Sequence, residues 1–151
     1  MQEIICHSEQ ETKEYAKKLA KILKKGDIII LAGDLGAGKT KFVEGILTYY
    51  GLQDEIASPT FTIVNEYHTK DVTICHFDLY RLKSIAEFDN IGGEEYFAKG
   101  ICVIEWGELI ESILPDDYMK ITILKDEEDE NTRILQIEER GNRFNDVDFK
   151  F

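Results

Sequence analysis

The chain has 151 residues, 43% of them hydrophobic, and carries 30 acids against 18 bases for a formal net charge of −12. That length suits one compact domain spanning residues 1–151, and the negative field argues against an unaided grip on nucleic acid, whose phosphates it repels. No apolar run approaches the roughly 18 residues of a membrane span and the N-terminus lacks the basic-then-apolar layout of a signal peptide, so a cytoplasmic protein with no membrane role is expected. Cys6, Cys75 and Cys102 lack C-x-x-C spacing and each sits in or beside an apolar segment, which favours buried reduced thiols over a metal site.

In chain order, residues 3–6 read as a short apolar strand. Ser8 followed by Glu11 is a capping box that opens a helix, with Tyr15, Ala16, Leu19, Ala20, Ile22 and Leu23 on one face and Gly26 closing it. Residues 27–32 are a continuous apolar run after Asp27, the mark of a strand buried on both faces.

Gly33-Asp34-Leu35-Gly36-Ala37-Gly38-Lys39-Thr40 then has the spacing G-x-x-x-x-G-K-[ST] of a phosphate-binding loop, and a helix over 39–50 ends at Gly51. A phosphate chain must be wrapped by backbone N–H groups, which only a loop nearly free of side chains allows, so Gly33, Gly36 and Gly38 are read as permitting close approach. The helix N-terminus aims unpaired N–H groups at the anion, Lys39 reaches the outer phosphates and the Thr40 hydroxyl can ligate Mg²⁺. The expected ligand is a Mg-nucleoside triphosphate.

Pro59 breaks the chain within Ser58-Pro59-Thr60-Phe61, and an alternating strand follows. Thr60 is either a hydroxyl placed near the terminal phosphate or a simple turn residue. A strand over 72–77 runs into Asp78-Leu79-Tyr80-Arg81, and Ser84 with Glu87 repeats the capping box. After the Gly92-Gly93 turn come a short helix over 94–98, a doubly buried strand over 101–104 ending in Glu105-Trp106-Gly107, and a helix over 108–113. Strands over 119–124 and 133–137, separated by the acidic run 126–130, form a hairpin. That run is either solvated surface or a docking face for a basic partner.

The predicted fold is α/β: a three-layer arrangement of the P-loop NTPase type, its central sheet mostly parallel, with a C-terminal antiparallel hairpin. Ligands in such sheets bind at the carboxyl ends of the strands, where two acids are available. Glu105 follows four apolar residues and is the better candidate for the metal carboxylate; Asp78 positions water or completes the metal shell, and turn capping is the alternative for both. Arg81 is either a phosphate-neutralising cation or a partner of Asp78. His76 is read as a core histidine or one that supports a site residue, rather than a proton carrier, and Trp106 as packing or a partner contact. No Asn-Lys-x-Asp segment reads guanine, and the ABC-type and protein-kinase signatures are missing, which leaves ATP as the expected nucleotide.

The loop at 33–40, Ser-Pro-Thr-Phe at 58–61, His-Phe-Asp-Leu-Tyr-Arg at 76–81 and Glu-Trp at 105–106, in this order, resemble the TsaE (YjeE/YdiB) family. The resemblance implies a weak, partner-coupled ATPase for the threonylcarbamoyladenosine modification of tRNA, acting with TsaD and TsaB and meeting tRNA only indirectly. It implies that Gly36 to Thr40 hold the phosphates, that Thr40 and Glu105 bind Mg²⁺, that Asp78 sits in the nucleotide site, and that Glu9 is a further contact. Rival readings are a small-molecule kinase and a nucleotide-gated module that does not hydrolyse.

Overall fold

Ile28, Ile29, Ile30 and Leu31 are all fully buried, so the strand they form needs cover on both faces and a neighbour on both edges. The computed structural model, which describes residues 1–34, 36–56 and 63–151, supplies both. Strands β1 (Gln2–Cys6), β2 (Ile28–Ala32), β3 (Val64–His68), β4 (Thr73–Asp78), β5 (Ile101–Glu105), β6 (Tyr118–Lys125) and β7 (Arg133–Arg140) form one sheet in the order β1-β7-β6-β2-β5-β4-β3. Helices α1 (Glu9–Ala20), α2 (Lys39–Tyr49) and α3 (Ile85–Asn90) and two 3-10 helices, Gly93–Ala98 and Gly107–Ile113, cover it.

Strands β6, β2, β5 and β4 are mutually parallel. The antiparallel part is larger than the predicted C-terminal hairpin: β3 pairs antiparallel with β4 at one edge, and β1 adds antiparallel to β7 at the other. Alternate residues of the central strands therefore face different layers. Ile29, Leu31, Ile101 and Val103 pack under α1 and α2, whereas Ile28, Ile30, Cys102 and Ile104 pack with Phe88 of α3 and with Ile110. Cys6, Cys75 and Cys102 are free and buried, as their apolar settings predicted. Among the described residues no helix is long and apolar enough to cross a membrane.

Both capping boxes form, with a variation. Ser8 Oγ accepts from the Glu11 N–H (3.1 Å) and Ser84 Oγ from the Glu87 N–H (3.3 Å). The returning carboxylates bond one residue earlier than the usual partner, at the N–H groups of His7 (2.6 Å) and Lys83 (3.2 Å).

Helix α1 stops at Ala20 rather than running on to Gly26: the N–H groups of Lys21, Ile22 and Leu23 tighten onto the carbonyls of Lys18, Leu19 and Ala20, and groups beyond take partners outside the helix. The Lys24 N–H donates to Asp27 Oδ2 (2.7 Å), and the Ile22 carbonyl accepts from Arg143 Nη2 (2.8 Å). Arg143 also grips Asp27 with two bonds of 3.0 Å, a bidentate pair. That clasp fixes a C-terminal tail the sequence reading left without structure. Phe144 and Phe149 are buried under α1, and the Tyr15 hydroxyl donates to the Phe149 carbonyl at 2.7 Å. Residues 94–98 and 108–113, expected as helices, are 3-10 turns of a kind suited to short connectors.

The α1–α2 contact is close enough to require a glycine. A Cβ on Gly45 would collide with the Lys13 carbonyl and lie 2.7 Å from Ala16 Cβ. In an open helix, Gly→Ala gains about 1 kcal/mol of propensity, but overpacking here costs about 1–3 kcal/mol. We therefore expect Gly45→Ala to lower the urea midpoint; a raised midpoint would contradict the packing.

Candidate functional site

The loop after β2 turns into α2 through Gly36 (φ 79°) and Gly38 (φ 109°), both left-handed, a region in which side-chain-bearing residues are strained. Gly38 is the N-cap of α2 and makes no side-chain cap bond, which leaves the helix N-terminus with donors to offer a ligand. Gly33 (φ 140°) carries a constraint beyond the one its place in the motif suggests. A Cβ there would lie 2.6 Å from the Ile123 carbonyl, so its constraint is the close approach of β6.

Parallel strands bring two acids to the same end as this loop. Leu31 of β2 is level with Glu105 of β5, and Glu105 with Asp78 of β4, so Glu105 and Asp78 are lateral neighbours on the face covered by α1 and α2. With Glu9, Gly36, Gly38, Lys39, Thr40, Lys41, Tyr80 and Trp106 they line a cavity of about 480 Å³. A second cavity of about 310 Å³ lies beyond Lys39 and Trp106, which line both, and it takes in Gly33, Asp34, Glu108 and Thr122. The structure thus divides the predicted loop residues between two cavities. Ala37 is buried, while Leu35, Thr60 and the whole 58–61 segment lie outside the described residues.

Glu105 is 7% exposed and accepts a 2.6 Å bond from His76 Nε2. His76 is itself buried, and its Nδ1 has no partner among the described residues. The histidine expected in the core thus stands directly behind the expected metal acid. Its register position, level with Val103 and two residues before Asp78, is what brings it there. Asp78 Oδ1 accepts the Tyr80 N–H at 3.1 Å, so the predicted turn-capping bond forms while the residue still lines the cavity. Arg81 is exposed and pairs with no acid among the described residues.

Trp106 packs against the core, as one of its two expected roles has it, and is also a wall of the site. Its own φ is 61°, the one left-handed non-glycine among the described residues, and Lys39 Nζ lies 4.3 Å from its ring centroid. The ammonium therefore rests on an aromatic face, a cation–π contact of about 1 kcal/mol. Tyr80 packs against Trp106 as a tilted ring pair, centroids 5.2 Å apart and planes at 57°. The pattern that could have signalled this was the position of Trp106 directly after a strand-end acid.

Three acids and two lysines among the cavity residues would repel a bare polyphosphate, so the donor set fits a ligand that brings its own cation. Among the described residues no group of three or more metal-ligating side chains forms a cage. Mg²⁺ is commonly held by one or two carboxylates together with substrate phosphates, donors that this lining and a polyphosphate would supply together. Glu105, Thr40 and Asp78 are the residues present to take part.

The family model for "Threonylcarbamoyl adenosine biosynthesis protein TsaE" matches residues 6–135. The chain belongs to the TsaE family. TsaE of Rickettsia felis is 40% identical over 147 residues, covering 97% of this chain and 85% of that protein. TsaE of Bacillus subtilis is 40% identical over 136 residues, covering 89% and 84%. The crystal structure of Bacillus subtilis YdiB superposes with a TM-score of 0.75 at 34% identity, covering 95% of this chain and 88% of that one. The P-loop-type fold predicted for this TsaE-family chain accordingly stands.

The His76–Glu105 bond is open to a direct test. Truncating one partner of a buried charge-assisted bond costs about 2–4 kcal/mol, because the other partner stays buried and unpaired. We expect His76→Ala to cost that much in urea denaturation. The double variant with Glu105→Ala should be less destabilised than the sum of the two single changes, and additive values would deny the coupling.

Proposed function

We propose that this TsaE-family chain binds Mg-ATP in the 480 Å³ cavity and hydrolyses it as one component of the machinery that places threonylcarbamoyladenosine in tRNA. The observation that carries the reading is that one cavity is lined by the glycine loop, Lys39 and Thr40 on one side and by the neighbouring carboxylates Asp78 and Glu105 on the other. Family membership supplies the process, and the cavity supplies the chemistry.

In this reading the N–H groups of residues 36–40 hold the phosphates, with Gly33 and Asp34 leading from β2 into the loop that presents them. Lys39 leaves the Trp106 ring for the outer phosphate oxygens, exchanging a weak cation–π contact for a charge-assisted one. Thr40 and Glu105 hold Mg²⁺, which when bound neutralises the charge developing on the phosphates. His76 keeps the Glu105 carboxylate aimed into the cavity. Asp78 orients water. Glu9 is an acceptor only, so it suits a hydroxyl or amino group of the nucleoside rather than a phosphate.

None of the described residues lining the cavity is arginine. Charge neutralisation in the transition state is then incomplete, and the enzyme is slow until a partner supplies what is missing. We assign that role to the TsaD and TsaB proteins. With a net charge of −12, contact with tRNA goes through those partners.

ATP hydrolysis measured with and without TsaD and TsaB tests the reading. We expect a rise on adding the pair and a fall of about a hundredfold in Lys39→Ala, with the threonylcarbamoyladenosine content of tRNA following the rate. Equal rates with and without the pair would remove the coupling. Unchanged Mg²⁺ titrations in folded Thr40→Ala and Glu105→Ala would show the metal shell to be misassigned.

A further inference from the structure

Arg133 opens β7, on the far side of the sheet from Asp78, and its side chain ends on the phosphate loop. Its Nε donates to the Ala37 carbonyl at 2.8 Å, while Nη1 donates to the carbonyls of Glu130 (2.6 Å) and Thr132 (3.0 Å). All three acceptors are main-chain oxygens, and among the described residues Arg133 makes no ion pair. The guanidinium thus brings its charge to the loop with no carboxylate at ion-pair distance among the described residues. A Cβ on Gly38 would lie 3.9 Å from its Nε.

The mount for this side chain is rigid. Arg133 is in register with Lys125 of β6 on one side and Cys6 of β1 on the other, so its backbone is held by two ladders. The preceding turn is built by its own acids. Asp126 Oδ2 accepts the N–H groups of Glu128 (3.1 Å) and Asp129 (2.9 Å), and Asp129 accepts the Asn131 N–H and the Thr132 hydroxyl, each at 3.0 Å. The Asn131 N–H and then the Thr132 hydroxyl hold the Asp129 carboxyl below the usual carboxylate range. Two of the five acids of the 126–130 run are therefore structural, and the turn they make presents the carbonyls that Arg133 uses.

The loop itself lacks such a mount. Its helix cap is a glycine with no side-chain bond, and Ala37 is tied on its other side by its N–H to the Asp34 carbonyl at 3.0 Å. We propose that Arg133 is a positioning residue of the phosphate loop: it fixes the Ala37–Gly38 peptide from behind, adds positive field to the anion site, and couples that site to the 126–132 turn. This rests on the reading of residues 33–40 as the phosphate site. An amide ring pre-set by a guanidinium binds polyphosphate without first losing the freedom of its own peptides.

The test is calorimetric titration of Mg-ATP into the full chain, wild type against Arg133→Gln and Arg133→Lys, with melting of each apo protein as control. We expect the dissociation constant to rise about tenfold in Arg133→Gln and about threefold in Arg133→Lys, which keeps the charge but not the fork. Such a partial rescue is not expected from a merely structural residue, whose loss would lower the apo melting point and leave affinity intact. An Arg133→Gln protein that folds and binds within about twofold of wild type would overturn the proposal, the nucleotide reading standing. A wild type that does not bind Mg-ATP would overturn both. Should Arg133→Gln not fold, Arg133→Lys decides alone: a raised constant supports the role and an unchanged one denies it.

Discussion

The site depends on register. Leu31, Glu105 and Asp78 stand side by side across β2, β5 and β4, and because these strands are parallel their carboxyl ends open on the same edge. Neighbouring strands are about 4.8 Å apart, so the two acids stand side by side next to the loop that leaves β2. A slip of one residue between β5 and its neighbours would turn Glu105 to the other face, away from α2 and from His76. Near-continuous apolar runs on all three strands make such a slip costly, since each residue already has a layer to fill.

Around that edge, three side chains restrain groups of the candidate site. His76 holds Glu105, the Trp106 ring holds Lys39, and Arg133 holds the Ala37 carbonyl. Each restraint reaches the site from a different part of the sheet: β4, the end of β5 and the start of β7. The left-handed backbone of Trp106 is a strained choice for so large a side chain, and strain of this kind persists where the surroundings over-determine it. Here the surroundings are Tyr80, Lys39 and the wall between two cavities.

Much of this was legible in the sequence, for identifiable reasons. The glycine loop, the doubly buried strands and the capping residues Ser8 and Ser84 are local signals, and a local signal survives without knowledge of the fold. What sequence did not reveal is non-local. The place of β1 beyond the hairpin depends on pairing with β7, more than a hundred residues away. The burial of Phe144 and Phe149 depends on a clasp between Asp27 and Arg143. Nor does the spacing of His76, Glu105 and Arg133 announce their bonds, since only the strand order brings them together. Gly33 is the instructive case: the motif marks it for phosphate, and its tightest neighbour is the carbonyl of Ile123.

The central claim is that polyphosphate and metal meet between the loop and the two strand-end carboxylates. A crystal structure with Mg²⁺ and a non-hydrolysable ATP analogue addresses it most directly. The account predicts phosphate oxygens on the N–H groups of residues 36–40, Lys39 drawn off the Trp106 ring, and Mg²⁺ beside Thr40 on the Glu105 side. A nucleotide seated elsewhere, or Lys39 still resting on Trp106 with the nucleotide bound, would contradict it.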